Sequence, residues 1–170
     1  VRYRDVMRER RLRKAFAGRA VVVTGASRGI GAAAAMRLGA AGAELVLLAR
    51  DAVALGRVAD GIRAAGGSAR VIAVDLRDTE ATTAAADRIL TEVGPPALVL
   101  ANAGHSIHRA ALQSAERAHD AHRLVAVNHL GHVGLLLHLL PSMTATGRGR
   151  VVVSSSAALA VPTPGWAAYA

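Results

Sequence analysis

Short runs of aliphatic residues alternate along this sequence with longer, alanine-rich stretches. The aliphatic runs predict strands at residues 20–23, 45–48, 71–74, 98–100 and 151–153. The stretches between them predict helices at residues 31–41, 53–65, 79–93 and 115–143, the last with a break near Pro141. Strands that are apolar at every position are typical of a parallel sheet covered on both faces. The alternation therefore predicts an open, doubly wound α/β sheet of about five strands with right-handed crossovers.

The length and composition are those of one globular domain. The sequence has 170 residues, of which 52% are hydrophobic and 19% charged, and this excludes a disordered chain. No linker divides it, so we expect a basic arm at residues 1–17 and one α/β domain at residues 18–170. Cysteine is absent, which excludes a disulfide scaffold and thiolate metal sites and fits a reducing, cytoplasmic location.

The positive charge is concentrated at the beginning of the sequence. Of the net charge of +9, residues 1–14 carry +5, including Lys14, the only lysine. A solvated, poorly ordered terminus or the tail of a preceding domain is favoured over a contact with nucleic acid or an anionic membrane. No signal-peptide core is present, and the apolar residues 124–140 are interrupted by histidines and Asn128. We therefore expect neither nucleic-acid binding nor a membrane span.

A glycine-rich segment, TGASRGIG at residues 24–31, follows the first predicted strand. Its glycines are spaced G-x-x-x-G-x-G. Glycine allows a tight turn and lets backbone N–H groups approach a pyrophosphate at the positive end of the following helix. A plain strand-to-helix turn would use the same residues, so the three glycines alone do not decide between these alternatives.

This segment resembles the cofactor-binding turn of the short-chain dehydrogenase/reductase family, whose fold is Rossmann-like. Four further segments match in the family's order. They are Asp75 with Leu76 after the third strand, Asn102-Ala103-Gly104 after the fourth, Asn128 in the long helix, and Ser156 followed by Tyr169. Tyr169 comes thirteen residues after Ser156, the family's usual interval, and this favours Ser156 over its two serine neighbours.

The resemblance implies an oxidoreductase that transfers a hydride between NADP(H) and a small carbonyl or alcohol substrate. It implies Tyr169 as the acid/base, Ser156 as the group that orients and polarises the substrate oxygen, and Asn128 as support for a water relay. The cofactor-binding residues implied are Gly25, Ser27, Arg28, Gly29, Ile30, Gly31, Arg50, Asp75, Leu76, Asn102, Ala103 and Gly104.

The choice between NADP(H) and NAD(H) depends on the end of the second strand. A carboxylate there would bind the ribose 2′-hydroxyl of NAD and repel a 2′-phosphate. This sequence has Ala49 followed by Arg50, with Arg28 in the glycine turn. Two guanidinium groups without a carboxylate favour NADP(H), and the alternative is a pair of solvent-facing arginines.

The family also places a lysine four residues after the tyrosine, a position beyond Ala170. The resemblance therefore implies a fragment, without the last strands of the family fold and without meaningful turnover, from a parent that forms a homodimer or homotetramer. Two alternatives remain open: a non-catalytic nucleotide-binding relic, and a binding module that uses the basic arm on an α/β scaffold.

Three pairs of histidines are spaced three residues apart. They are His105 with His108, His119 with His122, and His129 with His132. Carboxylates are few near these pairs and no triad of ligands is evident. Surface or helix-packing histidines are favoured over a metal site.

Overall fold

The computed structural model of the protein describes residues 3–159 and 165–166. Five strands form one parallel sheet in the order β3-β2-β1-β4-β5. The strands are β1 Ala20–Thr24, β2 Glu44–Ala49, β3 Ser68–Ala73, β4 Leu98–Ala101 and β5 Arg150–Val153. The predicted doubly wound α/β sheet is confirmed.

Helices connect the strands and cover both faces of the sheet. They are α1 Tyr3–Phe16, α2 Gly29–Ala40, α3 Ala52–Ala64, α4 Thr79–Glu92, α5 Ala111–Ser114, α6 Ala118–Val125 and α7 Gly131–Ala145. A π-helical turn, Ala126–Leu130, joins α6 to α7, and a 3₁₀ turn, Ala157–Leu159, follows β5. Asp51 and Asp78 cap α3 and α4, each accepting a backbone hydrogen bond of 2.9 Å.

The central strand β1 is buried on both sides, and its side chains divide the core into two clusters. Val21 and Val23 face the cluster that includes Leu38 of α2 and Leu55 of α3. Val22 faces the other cluster, which includes Ala85, Ala86 and Ile89 of α4 and Leu135, Leu139 and Met143 of α7. The continuous aliphatic run in β1 thus reflects two covered faces.

The long predicted helix differs from the structure at both ends. Residues 118–143 form α6, the π-helical turn and most of α7, residues 115–117 lie before the helix, and no break occurs at Pro141, which lies inside α7. Proline removes one N–H, whose partner would be the carbonyl of Leu137. Leu137 is exposed, so water can bind this carbonyl and the helix continues to Ala145.

The basic arm was expected to be a poorly ordered terminus or the tail of a preceding domain, and its described residues are helical rather than poorly ordered. Residues Tyr3–Phe16 form α1. Phe16 is buried, and Leu12 and Ala15 pack against the cluster on the α2–α3 face. These contacts hold the end of the arm on the domain, while the neighbouring arginines remain exposed.

Replacing Leu12 with alanine should lower the free energy of unfolding by about 1–2 kcal/mol, because the side chain is partly buried against this cluster. The neighbouring Arg11 is exposed, and Arg11→Ala should change stability by less than about 0.5 kcal/mol. Urea denaturation measures both values. Equal stability of the two variants would mean that α1 does not pack on the domain in solution.

One stretch of the described residues, Ala118–Ala145, is long and apolar enough to cross a membrane by length and composition alone. Core helices of soluble proteins pass the same test. Leu135, Leu139 and Met143 of this stretch are buried against the sheet, as in a core helix. The length and composition of Ala118–Ala145 are therefore only weak evidence for a membrane span.

Candidate active site

The strand order of the sheet reverses direction once, between β1 and β4. From β1 the chain proceeds to β2 and β3 on one side, whereas β4 and β5 lie on the other side. The loops that follow β1 and β4 therefore separate and leave a crevice beyond the carboxyl ends of these strands, which is where open α/β sheets bind ligands. A groove of about 730 Å³ lies there.

The groove brings together almost all of the predicted cofactor-binding residues. Gly25, Ser27, Arg28, Gly29, Ile30, Arg50, Asp75, Leu76, Asn102, Ala103 and Gly104 line it. Further lining residues, which sequence reasoning missed, include Arg57, Arg77, His105, Arg123 and Val127. Of this missed group, Arg77, His105 and Val127 had a local signal, because each lies within two residues of a predicted site residue, whereas Arg57 and Arg123 do not.

Gly31 is the predicted cofactor-binding residue that does not line the groove. It is buried, and a Cβ at this position would overlap the carbonyl oxygen of Gly25 and lie 2.7 Å from Nδ2 of Asn102. Gly25 has a φ of 64°, and a Cβ there would lie 2.7 Å from Cα of Ala103. Gly31 therefore permits close packing of the turn, and its predicted role as a direct cofactor contact is not supported.

Thr24 connects the glycine turn to the segment after β4. Its buried Oγ1 accepts hydrogen bonds from the backbone N–H groups of Asn102 and Ala103, both at 2.9 Å. In return, Nδ2 of Asn102 donates to the carbonyl oxygen of Thr24 at 3.3 Å. The two loops on either side of the crevice are thus hydrogen-bonded to each other where they leave β1 and β4.

Asp75 at the end of β3 is held by Arg77. The guanidinium contacts both carboxylate oxygens, with Nη2 2.5 Å from Oδ2 and Nε 3.0 Å from each oxygen. These hydrogen bonds outweigh partial burial and lower the pKa of Asp75, with a smaller contribution from the charge of Arg50. Asp75 is therefore a carboxylate at neutral pH, and its remaining lone pairs can accept a further hydrogen bond.

The part of the groove beside the end of β2 is cationic. Arg28, Arg50 and Arg57 line it, and none of them forms an ion pair with a described residue. Asp51, the nearest carboxylate in sequence, caps α3. Unpaired guanidinium groups near the amino end of α2 favour an anionic ligand.

Asn128 lies in the π-helical turn and faces the loop after β4. Its Oδ1 accepts from the N–H of His105 at 2.8 Å, and its Nδ2 donates to the carbonyl oxygen of His105 at 2.9 Å. Both ends of the side-chain amide therefore hold this loop. Asn128 does not line the groove itself, but its neighbour Val127 and its partner His105 do.

The serines after β5 differ in their contacts. Oγ of Ser154 donates to Oδ1 of Asn102 at 3.1 Å, and Oγ of Ser156 accepts from the N–H of Ala158 at 3.2 Å. Ser155 is exposed. Ser156 is half-buried, and no described residue accepts a hydrogen bond from its hydroxyl group. Tyr169, the predicted acid/base, lies outside the described residues.

The segment before α6 is fixed by a buried carboxylate. The Asp120 side chain is only 3% exposed and accepts hydrogen bonds from Arg109 and Arg117, with His119 at 3.3 Å. Burial favours the protonated form, but the two arginines outweigh it and lower the pKa of Asp120. Across residues 3–159 and 165–166, no group of three or more histidine, cysteine or acidic side chains could hold a metal ion.

Relatives of known name match nearly all of this chain. An uncharacterised oxidoreductase of Mycobacterium tuberculosis is 39% identical over 168 residues, which is 97% of this chain and 49% of that protein. A fatty acyl-CoA reductase of Acinetobacter baylyi is 36% identical over 152 residues, which is 89% of this chain and 52% of that protein. The chain thus spans about half the length of these curated relatives.

Solved structures share the fold. A metagenomic short-chain oxidoreductase in complex with NADP has a TM-score of 0.86 and 39% identity, over 91% of this chain and 70% of that one. A xylitol dehydrogenase bound to NAD⁺ has a TM-score of 0.84 and 30% identity, over 91% of this chain and 59% of that one. A family model described as short chain dehydrogenase matches residues 19–170, from the residue before β1 to the last residue. With the glycine turn and the crevice in the places this family requires, the chain belongs to the short-chain dehydrogenase family.

Proposed function

We propose that the whole protein is an NADP(H)-dependent oxidoreductase that interconverts a carbonyl and an alcohol on a small-molecule substrate. The observation that carries this proposal is the groove at the switch point, which has a cationic end at Arg50 and a polar end at Asn102 and Gly104. A dinucleotide has matching ends, with a phosphorylated ribose at one and a nicotinamide at the other. When bound, it supplies or accepts the hydride at nicotinamide C4.

At the adenine end, the chain's own residues bind and orient. Asp75, kept ionised by Arg77, offers a carboxylate oxygen to the 6-amino group of adenine. Backbone N–H groups of the turn at residues 25–30 and the amino end of α2 face the pyrophosphate. Arg28, Arg50 and Arg57 surround the ribose 2′-position, where a phosphate would satisfy their charge.

At the nicotinamide end, the reaction transfers a proton to or from the substrate oxygen. We assign Tyr169 as the acid/base, with the proton held on its phenol oxygen, and Ser156 as the hydroxyl donor that polarises the substrate oxygen. Asn128 keeps the loop at His105 in place through its two side-chain hydrogen bonds, and we assign it as support for a water relay through its helix.

The proposal extends to the setting in which the protein acts. We propose a homodimer or homotetramer, supported by apolar side chains on the outer face of α7, where Val133, Leu137 and Leu140 are each more than a third exposed. We also propose a cytoplasmic location, supported by the absence of cysteine.

The reaction class is tested by incubating the whole protein with NADPH and a panel of ketones, aldehydes and fatty acyl-CoA thioesters. Consumption of NADPH at 340 nm with at least one carbonyl compound, and formation of the corresponding alcohol, is the expected result. Tight binding of NADPH without turnover on any member of the panel, in either direction, would instead favour the non-catalytic nucleotide-binding alternative.

The cofactor preference gives a sharper prediction. The whole protein should bind NADPH more tightly than NADH, and Arg50→Asp should weaken NADPH binding about 10- to 100-fold while leaving NADH binding nearly unchanged. The reason is that the substitution removes a charge-assisted hydrogen bond, worth ~1.5–3 kcal/mol, and adds a repulsive carboxylate. Fluorescence titration of both cofactors provides the measurement.

The matched control is Arg19→Asp, because Arg19 is exposed beside the amino end of β1, opposite the groove. This variant has the same change of charge and should bind both cofactors as the wild type does. NADH binding by the wild type that equals or exceeds NADPH binding contradicts the proposed preference.

A further inference from the structure

His132 is a buried titratable group that has no part in the proposed reaction. It lies one helical turn after Asn128, at the start of α7, and is 7% exposed. Its Nε2 is 3.0 Å from Oγ1 of Thr24, and its Nδ1 is 3.4 Å from the carbonyl oxygen of Asn128. The ring therefore connects the root of the glycine turn to the helix that carries the predicted relay residue, across 108 residues of sequence.

The contacts of Thr24 decide the direction of this hydrogen bond. A hydroxyl group has two lone pairs and one hydrogen. Both lone pairs of Oγ1 are used by the N–H groups of Asn102 and Ala103. The hydrogen must therefore be donated, and Nε2 of His132 at 3.0 Å is a better acceptor than the carbonyl oxygen of Leu100 at 3.5 Å.

The direction of the bond fixes the tautomer of His132. Because Nε2 accepts, the ring hydrogen is on Nδ1, which faces the carbonyl oxygen of Asn128. A second proton on Nε2 would point at a hydroxyl oxygen that has no lone pair left. Burial lowers the pKa of His132, and the neighbouring His129 lowers it further, although the Asn128 carbonyl favours the charged form. The neutral ring is thus favoured by its surroundings as well as by its partner.

The bond also orients the loop after β4. With its hydrogen fixed toward His132, Oγ1 of Thr24 directs its lone pairs to Asn102 and Ala103, which line the nicotinamide end of the groove. An apolar side chain at position 132 would leave the Thr24 hydroxyl without its best acceptor and with only the more distant carbonyl of Leu100 in its place. Among the described residues, Arg50 and Asp75 at the adenine end have no hydrogen bond to this network.

We propose that His132 is a positioning residue for nicotinamide binding, which as the neutral Nδ1–H tautomer orients the Thr24 hydroxyl and thereby the segment Asn102–Ala103. The inference rests on the proposed function, because it assigns this end of the groove to the nicotinamide ring. It predicts that the side chain affects the affinity for a whole dinucleotide but not for its adenine half.

The test compares two ligands on the whole protein. NADPH fills both ends of the groove, and 2′,5′-ADP carries only the adenine and the 2′-phosphate. His132→Leu should weaken NADPH binding about 10-fold, because a buried hydroxyl donor loses its acceptor, and should change 2′,5′-ADP binding less than about twofold. His132→Gln, whose amide oxygen can accept from Thr24, should recover most of the NADPH affinity. His138→Gln, an exposed histidine on α7, is the control and should affect neither ligand.

Each result has a distinct meaning. Equal weakening of both ligands by His132→Leu, or unchanged NADPH binding, overturns the positioning role while leaving the proposed function intact. A wild-type protein that binds neither ligand contradicts the proposed function, and the inference with it.

A second measurement applies even if His132→Leu does not fold. Nitrogen-15 NMR of the wild type should show His132 with a proton on Nδ1 and none on Nε2 at pH 7. A protonated Nε2 at this pH overturns the assigned hydrogen-bond direction.

Discussion

Replacing Gly31 with alanine is expected to weaken NADPH binding more than about 10-fold and to lower the free energy of unfolding by about 2–3 kcal/mol. The added Cβ would overlap the carbonyl oxygen of Gly25 and approach Nδ2 of Asn102 to 2.7 Å. Because the first of these atoms belongs to the backbone, the collision cannot be relieved by rotating a side chain. The turn itself must move, and it carries the N–H groups that we propose bind the pyrophosphate. Fluorescence titration and urea denaturation measure the two effects.

Gly134 provides the matched control for this change. It also lies in a helix, α7, but a Cβ there would have no neighbouring atom within 4 Å. Gly134→Ala should leave NADPH binding unchanged and raise stability by up to about 1 kcal/mol, because alanine has less backbone freedom to lose. A Gly31→Ala protein that binds NADPH like the wild type would show that the turn is more adaptable than its packing indicates.

The second large effect is expected at Ser156. Ser156→Ala should lower kcat of the whole protein about 10²- to 10³-fold, the usual effect of removing one hydrogen-bond donor from a developing charge on oxygen. NADPH affinity should stay within about twofold, since Ser156 does not line the groove. Steady-state kinetics on a substrate from the carbonyl panel, together with the binding titration, separates the two quantities.

Ser155 is the control, because it has the same chemistry one residue earlier and its side chain is exposed. Ser155→Ala should keep kcat within about twofold of the wild type. The assignment of Ser156 depends on its thirteen-residue interval to Tyr169. A larger loss of kcat in Ser155→Ala than in Ser156→Ala would transfer the role to the neighbouring serine.

The sequence was most informative where burial is uniform. The central strands β1 and β2 are continuous aliphatic runs, and their predicted positions agree with the structure to within one residue at each end. The edge strand β3 was predicted at residues 71–74 but spans Ser68–Ala73, because Ser68 and Arg70 are exposed and interrupt the apolar run. Periodicity also could not reveal that α1 docks, since charged residues on both sides of Leu12 interrupt any apolar stripe.

In the site, too, the residues that the sequence predicts make local contacts, and those it does not predict make distant ones. The groove-lining residues of the glycine turn belong to one short motif whose chemistry is local, and the structure brings them together with Asp75 and Asn102. The contact between Thr24 and His132 depends on how α7 packs across the sheet, which no local pattern specifies. Arg57 lines the groove because of how α3 packs on the sheet, and no local pattern specifies that packing either.

The outer side of β5 has a practical consequence for experiments on this chain. Val151, Val152 and Val153 are 39%, 49% and 62% exposed, and among the described residues β4 is the only strand that pairs with them. The N–H and C=O groups on the other side, which no described strand pairs, can pair with the same strand of a second molecule. Self-association should therefore increase with protein concentration, and it would bury these valines. Light scattering at a single dilution would not detect it. Titrations are best interpreted only where the scattering mass does not change with concentration.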